Sequence, residues 1–311
     1  MRGERFASAT SAVIAVRRLA PLGALLLCAL GMAAPASREV RDDTGATVSV
    51  PAQNCRIVSL APGTTAMLFA VGAAPCLVGT IAHSDEPKEA ASIPVIGDAE
   101  TLDFEQLLAL RPSVVVVAVD VVQRVRIDRI RALRIPVYEV HVTSLAQMPD
   151  SLRRLGVLTA TETTARARAA AYSQQLERIA AAYRSRTPLR VLYQIWDRPI
   201  YTIGGQHVIT DALKLCGATN VFADLATAAP AVTREAAVLR NPDLILVSAP
   251  PQTAGEWIAE WQRYPTLSAV RAGRVMAYAD ERMDRMGPSV IDATSSLCEL
   301  IERARTRPAA P

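Results

Sequence analysis

The amino-acid sequence predicts an α/β protein with two lobes, each built on a parallel sheet, joined by one long helix and separated by a ligand cleft. Three observations support this prediction. Short apolar runs alternate with helical patterns, one stretch of the first half recurs in the second, and an unbroken helical pattern lies between the halves. Alternating strands and helices are typical of parallel sheets covered on both faces.

The linking helix is predicted over residues 159–186. Thr159 followed by Glu162 matches a capping box, in which the two side chains satisfy backbone N–H groups at a helix start. Pro188 ends the helix, because proline disfavours helical geometry in the preceding residue. At about 1.5 Å per residue the helix would span roughly 40 Å. An apolar stripe follows one face at steps of three and four residues: Ala165, Ala169, Tyr172, Leu176, Ile179 and Tyr183.

The two halves follow the same plan of alternating elements. In the first half we predict strands over residues 56–62, 76–79, 114–119 and 136–142, and helices over 64–71, 104–110 and 124–133. In the second half we predict strands over residues 190–195, 243–247 and 274–278, and helices over 207–215 and 257–263. Most strand patterns are continuous apolar runs, which fit strands buried on both sides.

An internal repeat relates the halves. Glu105 stands seven residues before Pro112, which opens an apolar strand, and Glu235 stands seven residues before Pro242 in the same arrangement. The chain is therefore predicted to be a pseudo-repeat of two α/β lobes. We place the N-terminal lobe at residues 37–147, the linking backbone helix at 148–187 and the C-terminal lobe at 188–311.

Residues 1–36 have the pattern of a secretory signal peptide. Four arginines precede or flank an apolar run over residues 19–32, and a small-residue cleavage site follows. The apolar run is too short and too interrupted for a membrane span. Cys28 follows leucines rather than small residues, so lipidation is not the expected outcome and no membrane anchor is predicted.

Charge and cysteine content narrow the functional classes. Removal of the leader leaves 30 Lys and Arg against 29 Asp and Glu, a net charge of +1, which gives no reason to expect a nucleic-acid partner. The mature chain keeps Cys55, Cys76, Cys216 and Cys298. An even number in an exported protein permits disulfides in three connectivities, and buried free thiols are the alternative.

A cleft between two α/β lobes is expected to bind its ligand beyond the carboxyl ends of the strands. The first-lobe candidates are residues 62–65, 83–86 and 98–101, Asp120 and His141. The second-lobe candidates are residues 196–201, Gln206, His207, Ala229, Pro230 and Asp280. Trp196 and Tyr201 follow a strand end and are candidates for apolar contact with a ligand.

The chemistry of these candidates favours binding over catalysis. His83, His141 and His207 all fall at the cleft, and with Asp280 they could form a Zn²⁺, Mn²⁺ or Fe site; the alternative is that each is a polar loop residue. The sequence has no Gly-x-Ser-x-Gly motif, no phosphate-binding loop and no dinucleotide fingerprint. We therefore predict that the protein is not an enzyme.

Several motifs in register resemble a known family: RIVSLAPGTT at residues 56–65, SDEP at 84–87, LLALRP at 107–112, YQIWDRPIY at 193–201 and HVITDALKLCG at 207–217. They are similar to the cobalamin-binding members of the helical-backbone (class III) substrate-binding proteins of bacterial ABC importers. The resemblance covers about residues 54–303. It implies two Rossmann-like lobes with the long linking helix, and a family that also binds haem, iron-siderophores and metal ions.

The resemblance also implies roles for individual residues. Glu105 and Glu235 match glutamates that dock onto arginines of the permease, and Tyr201 and Asp280 match positions that line the corrinoid pocket. Cys216 and Cys298 match a second-lobe disulfide. We also predict a disulfide between Cys55 and Cys76, which stand at the starts of two strands that a β-α-β unit would make parallel neighbours.

The sequence departs from the family pattern in the first lobe. His83 and Glu86 replace usual tyrosines beside Asp85, Ala99 and Ala229 stand where tryptophans can occur, and Ala66 replaces a common Glu. These changes indicate a wider pocket or a different ligand.

The resulting functional prediction is a monomeric periplasmic substrate-binding protein. We expect it to bind a corrinoid at His83, Asp85, Ala99, Trp196, Tyr201, His207, Ala229 and Asp280 and deliver it to an ABC permease dimer with its ATPase. No cofactor is expected beyond cobalt carried by the ligand. The alternative ligands are haem, a ferric siderophore or a bare metal ion.

Overall fold

The computed structural model describes residues 37–98 and 100–306, so the predicted signal peptide, Cys28 and Ala99 lie outside the described residues. The strands are β1 Ser37–Arg41, β2 Thr47–Pro51, β3 Ile57–Ser59, β4 Leu77–Gly79, β5 Val114–Ala118, β6 Val137–Val140, β7 Leu189–Trp196, β8 Ile200–Thr202, β9 Ala218–Asn220, β10 Ala231–Val232, β11 Leu244–Val247 and β12 Val275–Ala277. The helices are α1 Pro62–Ala70, α2 Phe104–Ala109, α3 Arg124–Ala132, α4 Met148–Thr159, α5 Glu162–Tyr183, α6 Val208–Leu215, α7 Arg234–Arg240, α8 Pro251–Gln262, α9 Ser268–Arg271, α10 Glu281–Arg285 and α11 Val290–Thr306.

The first lobe is built on a four-stranded parallel sheet with the order β4-β3-β5-β6. All four predicted strands are confirmed, although each is shorter than its apolar run. Residues Val114–Val117 of β5 are fully buried, because helices cover both faces of this central strand. The predicted helices α1, α2 and α3 are also present.

An antiparallel hairpin, β1–β2, precedes this lobe and was not predicted. It is joined to the lobe through Asp43, whose backbone N–H donates to the carbonyl of Glu139 at 3.1 Å. The Asp43 carboxylate accepts hydrogen bonds from the Ser151 hydroxyl, at 2.6 Å, and from the His141 N–H. The hairpin therefore connects β6 to α4.

The second lobe confirms the predicted parallel strands, and its sheet is mixed because an antiparallel edge that was not predicted is added to them. Strands β9, β7, β11 and β12 are parallel, whereas β8 is antiparallel to both of its neighbours, β7 and β10. The chain leaves β7 at Trp196 and returns after a three-residue turn as β8. So short a turn joins antiparallel neighbours, because a parallel crossover needs a much longer connection.

The long linking helix is confirmed as α5, but its predicted start is wrong. The Thr159 hydroxyl donates to the carbonyl of Leu155 at 2.8 Å, so Thr159 belongs to the last turn of α4 instead of capping α5. Ala160, with φ 58°, separates the two helices, and Thr161 precedes α5. The 22 residues of α5 span about 33 Å. Residues 148–187 therefore contain two helices, and the lobe boundaries on either side stay a prediction.

The apolar stripe of α5 packs as predicted. Ala165, Ala169, Tyr172 and Ile179 are buried, and Leu176 and Tyr183 pack against the same core. α4 and α5 approach closely at Gly156, where an added Cβ would lie 2.3 Å from that of Ala165. The two helices thus form one packed unit next to both sheets.

Both predicted disulfides are present. Cys55–Cys76 joins the segments that lead into β3 and β4, and Cys216–Cys298 joins the end of α6 to α11. Cys216 and Cys298 are fully buried. Among the described residues, no helix combines the length and the apolarity that a bilayer crossing requires.

Candidate functional site

A cavity of about 320 Å³ lies at the carboxyl ends of the first-lobe strands. Its apolar wall comes from residues that follow or end β4, β5 and β6 and from α1: Met67, Ile81, Ala118, Val121, Val140 and Val142. The second lobe contributes Asp284, Arg285 and Met286, from the end of α10. The cavity is therefore a first-lobe pocket covered by one short helix of the second lobe.

Buried hydroxyl groups hold the turn between β3 and α1 on which the cavity rests. The Ser59 and Thr64 hydroxyls lie 2.7 Å apart, and the Thr65 hydroxyl donates to Ser59 at 2.9 Å. Thr65 is also 3.1 Å from the Thr80 hydroxyl beyond β4. Because these groups satisfy one another away from water, the turn is fixed and the start of α1 faces the cavity.

The helix α10 lies directly against the first lobe because small residues stand at the contact. A Cβ added to Gly63 would lie 2.4 Å from the carbonyl oxygen of Arg285, so only glycine permits this approach. A Cβ added to Gly287 would lie 3.1 Å from that of Ala66, which is itself buried. The small side chain at position 66, where the family commonly has Glu, is thus matched to the position of α10.

Arg285 connects the lobes through charge. Its guanidinium lies 3.0 Å from the Asp85 carboxylate and 3.6 Å from that of Glu86, both on the first lobe. It also lies 2.7 Å from the Glu281 carboxylate one helical turn away. Asp85 is therefore at the edge of the cavity rather than in its wall. Glu86, which replaces a usual tyrosine, serves this inter-lobe ion pair.

The three histidines lie in different surroundings. His83, with φ 66°, lines the cavity. His141 Nδ1 is 3.3 Å from an Asp120 carboxylate oxygen, and Asp120 also lines the cavity. His207 caps α6, where its Nδ1 accepts from the N–H of Ile209 at 3.1 Å, and burial lowers its pKa to about 4.

The alternative metal site is not assembled. Within residues 37–98 and 100–306, no three His, Cys, Asp or Glu side chains are grouped so that they could hold a metal ion. Asp280 caps α10 by accepting from the N–H of Arg282 and pairs with the Arg282 guanidinium at 2.7 Å. This hydrogen bond holds the pKa of Asp280 below its usual value.

The predicted second-lobe ligand residues do not line the cavity. Trp196 and Tyr201 are 57% and 37% exposed, and the Trp196 ring packs edge-on against Trp257 with centroids 6.0 Å apart. Ala229 is exposed in the loop before β10, and His207 and Asp280 are occupied as helix caps. Ligand contact by these residues stays a prediction.

The predicted docking glutamates occupy equivalent positions. Glu105 and Glu235 are exposed second residues of α2 and α7, preceded by the capping residues Asp103 and Thr233. A second contact fixes the start of α7: the buried Asp197 carboxylate accepts a hydrogen bond from the Arg234 side chain at 2.9 Å. The pattern of the internal repeat is thus preserved in three dimensions.

A family model described as "Periplasmic binding protein" matches residues 57–281, which include the sheets of both lobes, the linking helix and the first-lobe wall of the cavity. The chain belongs to the periplasmic binding protein family. A vitamin B12-binding protein of Vibrio cholerae serotype O1 is 27% identical to this periplasmic binding protein over 250 residues, which are 80% of this chain and 90% of the relative. A vitamin B12-binding protein of Yersinia pestis is 27% identical over 253 residues, 81% of this chain and 88% of the relative.

Solved structures agree with this assignment. The periplasmic vitamin B12-binding protein BtuF of Vibrio cholerae superposes with a TM-score of 0.74 at 26% identity, covering 81% of this chain and 98% of BtuF. A periplasmic heme-binding protein of Pseudomonas aeruginosa superposes with a TM-score of 0.69 at 20% identity, covering 83% and 95%. The latter shows the fold alone. These relatives are periplasmic solute-binding proteins, which confirms the prediction of a binding protein rather than an enzyme.

Proposed function

We propose that this periplasmic binding protein captures a corrinoid between its lobes. The observation that supports the proposal most is the apolar cavity at the strand ends, in a chain that shares 27% identity over 80% of its length with a vitamin B12-binding protein. Mostly apolar walls with a few polar groups are typical of small-molecule binding sites. Trp196 and Tyr201 would add contact for the part of the ligand that extends beyond the cavity.

Haem is the second candidate. His83 is the histidine that lines the cavity, and imidazole is a common axial ligand of both haem iron and corrinoid cobalt. His83 would therefore contact the metal of either ligand.

Delivery to an ABC permease dimer with its ATPase forms the second part of the proposal. Glu105 and Glu235 stand at matching points of the two lobes, so an approximate two-fold axis relates them and a symmetric permease could present a cationic cluster to each. We further propose export by a cleaved signal peptide over residues 1–36 and a monomeric state in the periplasm.

The test of the ligand proposal is a titration of the purified mature protein with cobinamide, cobalamin, haem and Zn²⁺, followed by absorption spectroscopy. We expect saturable binding of a corrinoid at one site per chain. Saturable haem binding without corrinoid binding would replace the corrinoid by haem. A His83→Ala variant then reports on axial contact through the absorption spectrum of the bound tetrapyrrole.

A further inference from the structure

The charged groups around the cavity are unevenly distributed. Asp120 and Asp284 line it directly, and Asp85, Glu86 and Glu281 surround Arg285 at its edge. Among the described residues that line the cavity, Arg285 is the only Lys or Arg. Two carboxylates therefore line the cavity, and three more surround its one lining arginine.

Arg285 has little capacity left for a ligand. Its guanidinium is within 3.6 Å of the carboxylates of Asp85, Glu86 and Glu281 and is 21% exposed. A guanidinium has five N–H donors, and those that face three carboxylates are not available to an incoming anion. An anionic ligand group would have to displace one of these acids.

Asp284 is in the opposite situation. Its side chain lines the cavity, and no hydrogen bond or ion pair joins its carboxylate to another described residue. Asp284 is still exposed to solvent. Its partial desolvation, and then the nearby carboxylates of Asp280 and Glu281, raise the pKa of Asp284 above its usual value. Its oxygens are hydrogen-bond acceptors in a negatively charged environment, which favours a ligand that brings N–H donors or positive charge.

We infer that Asp284, together with the occupied Arg285, makes this cavity select tetrapyrrole-type ligands whose side chains end in neutral amides and reject those whose side chains end in carboxylates. Amide side chains of a corrinoid donate to Asp284, whereas the propionates of haem meet Asp284 and Asp120 with no free cation. The inference rests on the proposed function and makes Asp284 a specificity-determining residue.

The selection is measured best with two ligands that differ in charge alone. Cobinamide has amide side chains, and a corrinoid in which these amides have been hydrolysed to carboxylates keeps the same ring and metal. We expect the parent protein to bind cobinamide more tightly. Asp284→Asn should weaken cobinamide binding about tenfold, since it removes a charged hydrogen-bond acceptor, and should lower the affinity ratio of the two ligands.

A second variant tests the same idea by gain of function. Asp85→Asn combined with Glu86→Gln removes two of the three acids that occupy Arg285 and should tighten binding of the carboxylate corrinoid and of haem, by about tenfold for a newly formed charged pair. Asp128→Asn is the matched control, because Asp128 is an exposed residue of α3 outside the cavity wall. It should leave the affinity ratio at the parent value.

The outcomes separate this inference from the proposed function. Cobinamide binding with a ratio that neither Asp284→Asn nor the double variant changes would overturn the charge selection and leave the corrinoid function standing. A parent protein that prefers haem or the carboxylate corrinoid would also overturn it. If neither corrinoid binds, the proposed function itself is contradicted, and so is the charge selection that rests on it.

Discussion

The two lobes share one plan, yet they contribute unequally to the cavity. The first lobe supplies three strand ends and the fixed turn before α1, whereas the second lobe supplies the end of α10. The second lobe instead has the mixed sheet, the exposed Trp196 and the buried Asp197–Arg234 pair. The internal repeat thus keeps the parallel strands and the outward-facing helices α2 and α7 alike in the two lobes, whereas the connections that line the cavity differ.

The largest expected effect is on transport, and it concerns the exposed glutamates at equivalent positions of the two lobes. Reversing both docking charges, with Glu105→Lys and Glu235→Lys, should abolish ligand transport and leave corrinoid affinity unchanged, because both residues are exposed outside the cavity. Transport assays with the reconstituted permease, beside a binding titration, measure the two quantities. Each single reversal should reduce transport.

Glu177→Lys, an exposed charge reversal on α5, is the control for the docking variants and should transport normally. Normal transport by the double variant would contradict the docking proposal. A defect in one single variant alone would show that only one lobe contacts the permease.

Removal of the second-lobe disulfide should destabilise the protein more than removal of the first-lobe disulfide. Cys216–Cys298 closes a loop with a separation of 82 residues and Cys55–Cys76 one of 21. Loop-closure entropy then gives about 4–5 kcal/mol for the second-lobe disulfide and about 3 kcal/mol for the first. Urea unfolding of the two Cys→Ala double variants measures both losses. A larger loss from the first-lobe pair would show that loop length does not govern these disulfides.

The partly buried His207 should make the second lobe sensitive to acid. The pKa of His207 is lowered to about 4 by burial, so the folded state favours the neutral imidazole, and its stabilising effect is complete above the unfolded value of 6.5. As the pH falls from 6.5 to about 4 the free energy of unfolding should drop by about 3 kcal/mol. His207→Asn keeps a capping side chain at α6 and should remove this loss.

The first lobe provides the control for this pH profile. His83→Asn removes an exposed imidazole and should retain the parent's loss of stability in acid. An unchanged profile in His207→Asn would assign the acid sensitivity to other groups.

The smallest expected difference lies at the helix caps. The Asp103 carboxylate accepts from the N–H groups of Glu105 and Gln106, both at 2.9 Å, whereas the Thr233 hydroxyl accepts from that of Ala236 alone at 3.1 Å. Replacement of either by Ala should cost about 1 kcal/mol, with the larger loss at Asp103, since a carboxylate also interacts with the helix dipole. Thermal unfolding compares the two variants, and a larger loss at Thr233 would contradict this ranking.

Much of the framework follows from local sequence pattern. Continuous apolar runs placed β3, β5, β6, β7 and β11, and the step pattern from Ala165 to Tyr183 placed α5. The capping residue of α5 was misplaced because Thr159 and Thr161 both precede a plausible first turn, and the left-handed residue between them, Ala160, has no sequence signature. The strands β8 and β10 of the antiparallel edge were missed because they have three and two residues, too few for a periodic pattern.

The sequence predicted the first-lobe residues of the cavity but not the second-lobe residues, and the reason is physical. His83 and Asp120 follow strand ends, and the strand-end rule places such residues at the cleft. Asp284 and Arg285 belong to a short polar helix that resembles exposed surface in sequence. They reach the cavity because Gly63 and Gly287 permit close backbone contact, and such tertiary contacts leave no local pattern.

The contact between Gly63 and Arg285 sets a limit on the size of the enclosed part of a ligand. A volume of about 320 Å³ is near the lower end of the range for small-molecule sites. Because backbone atoms form the contact, this side of the cavity cannot widen unless α1 and α10 separate. A macrocycle larger than the cavity must therefore leave one edge in solvent. We expect that edge to tolerate bulky chemical substituents, so that a dye attached there would report on capture and release without blocking either.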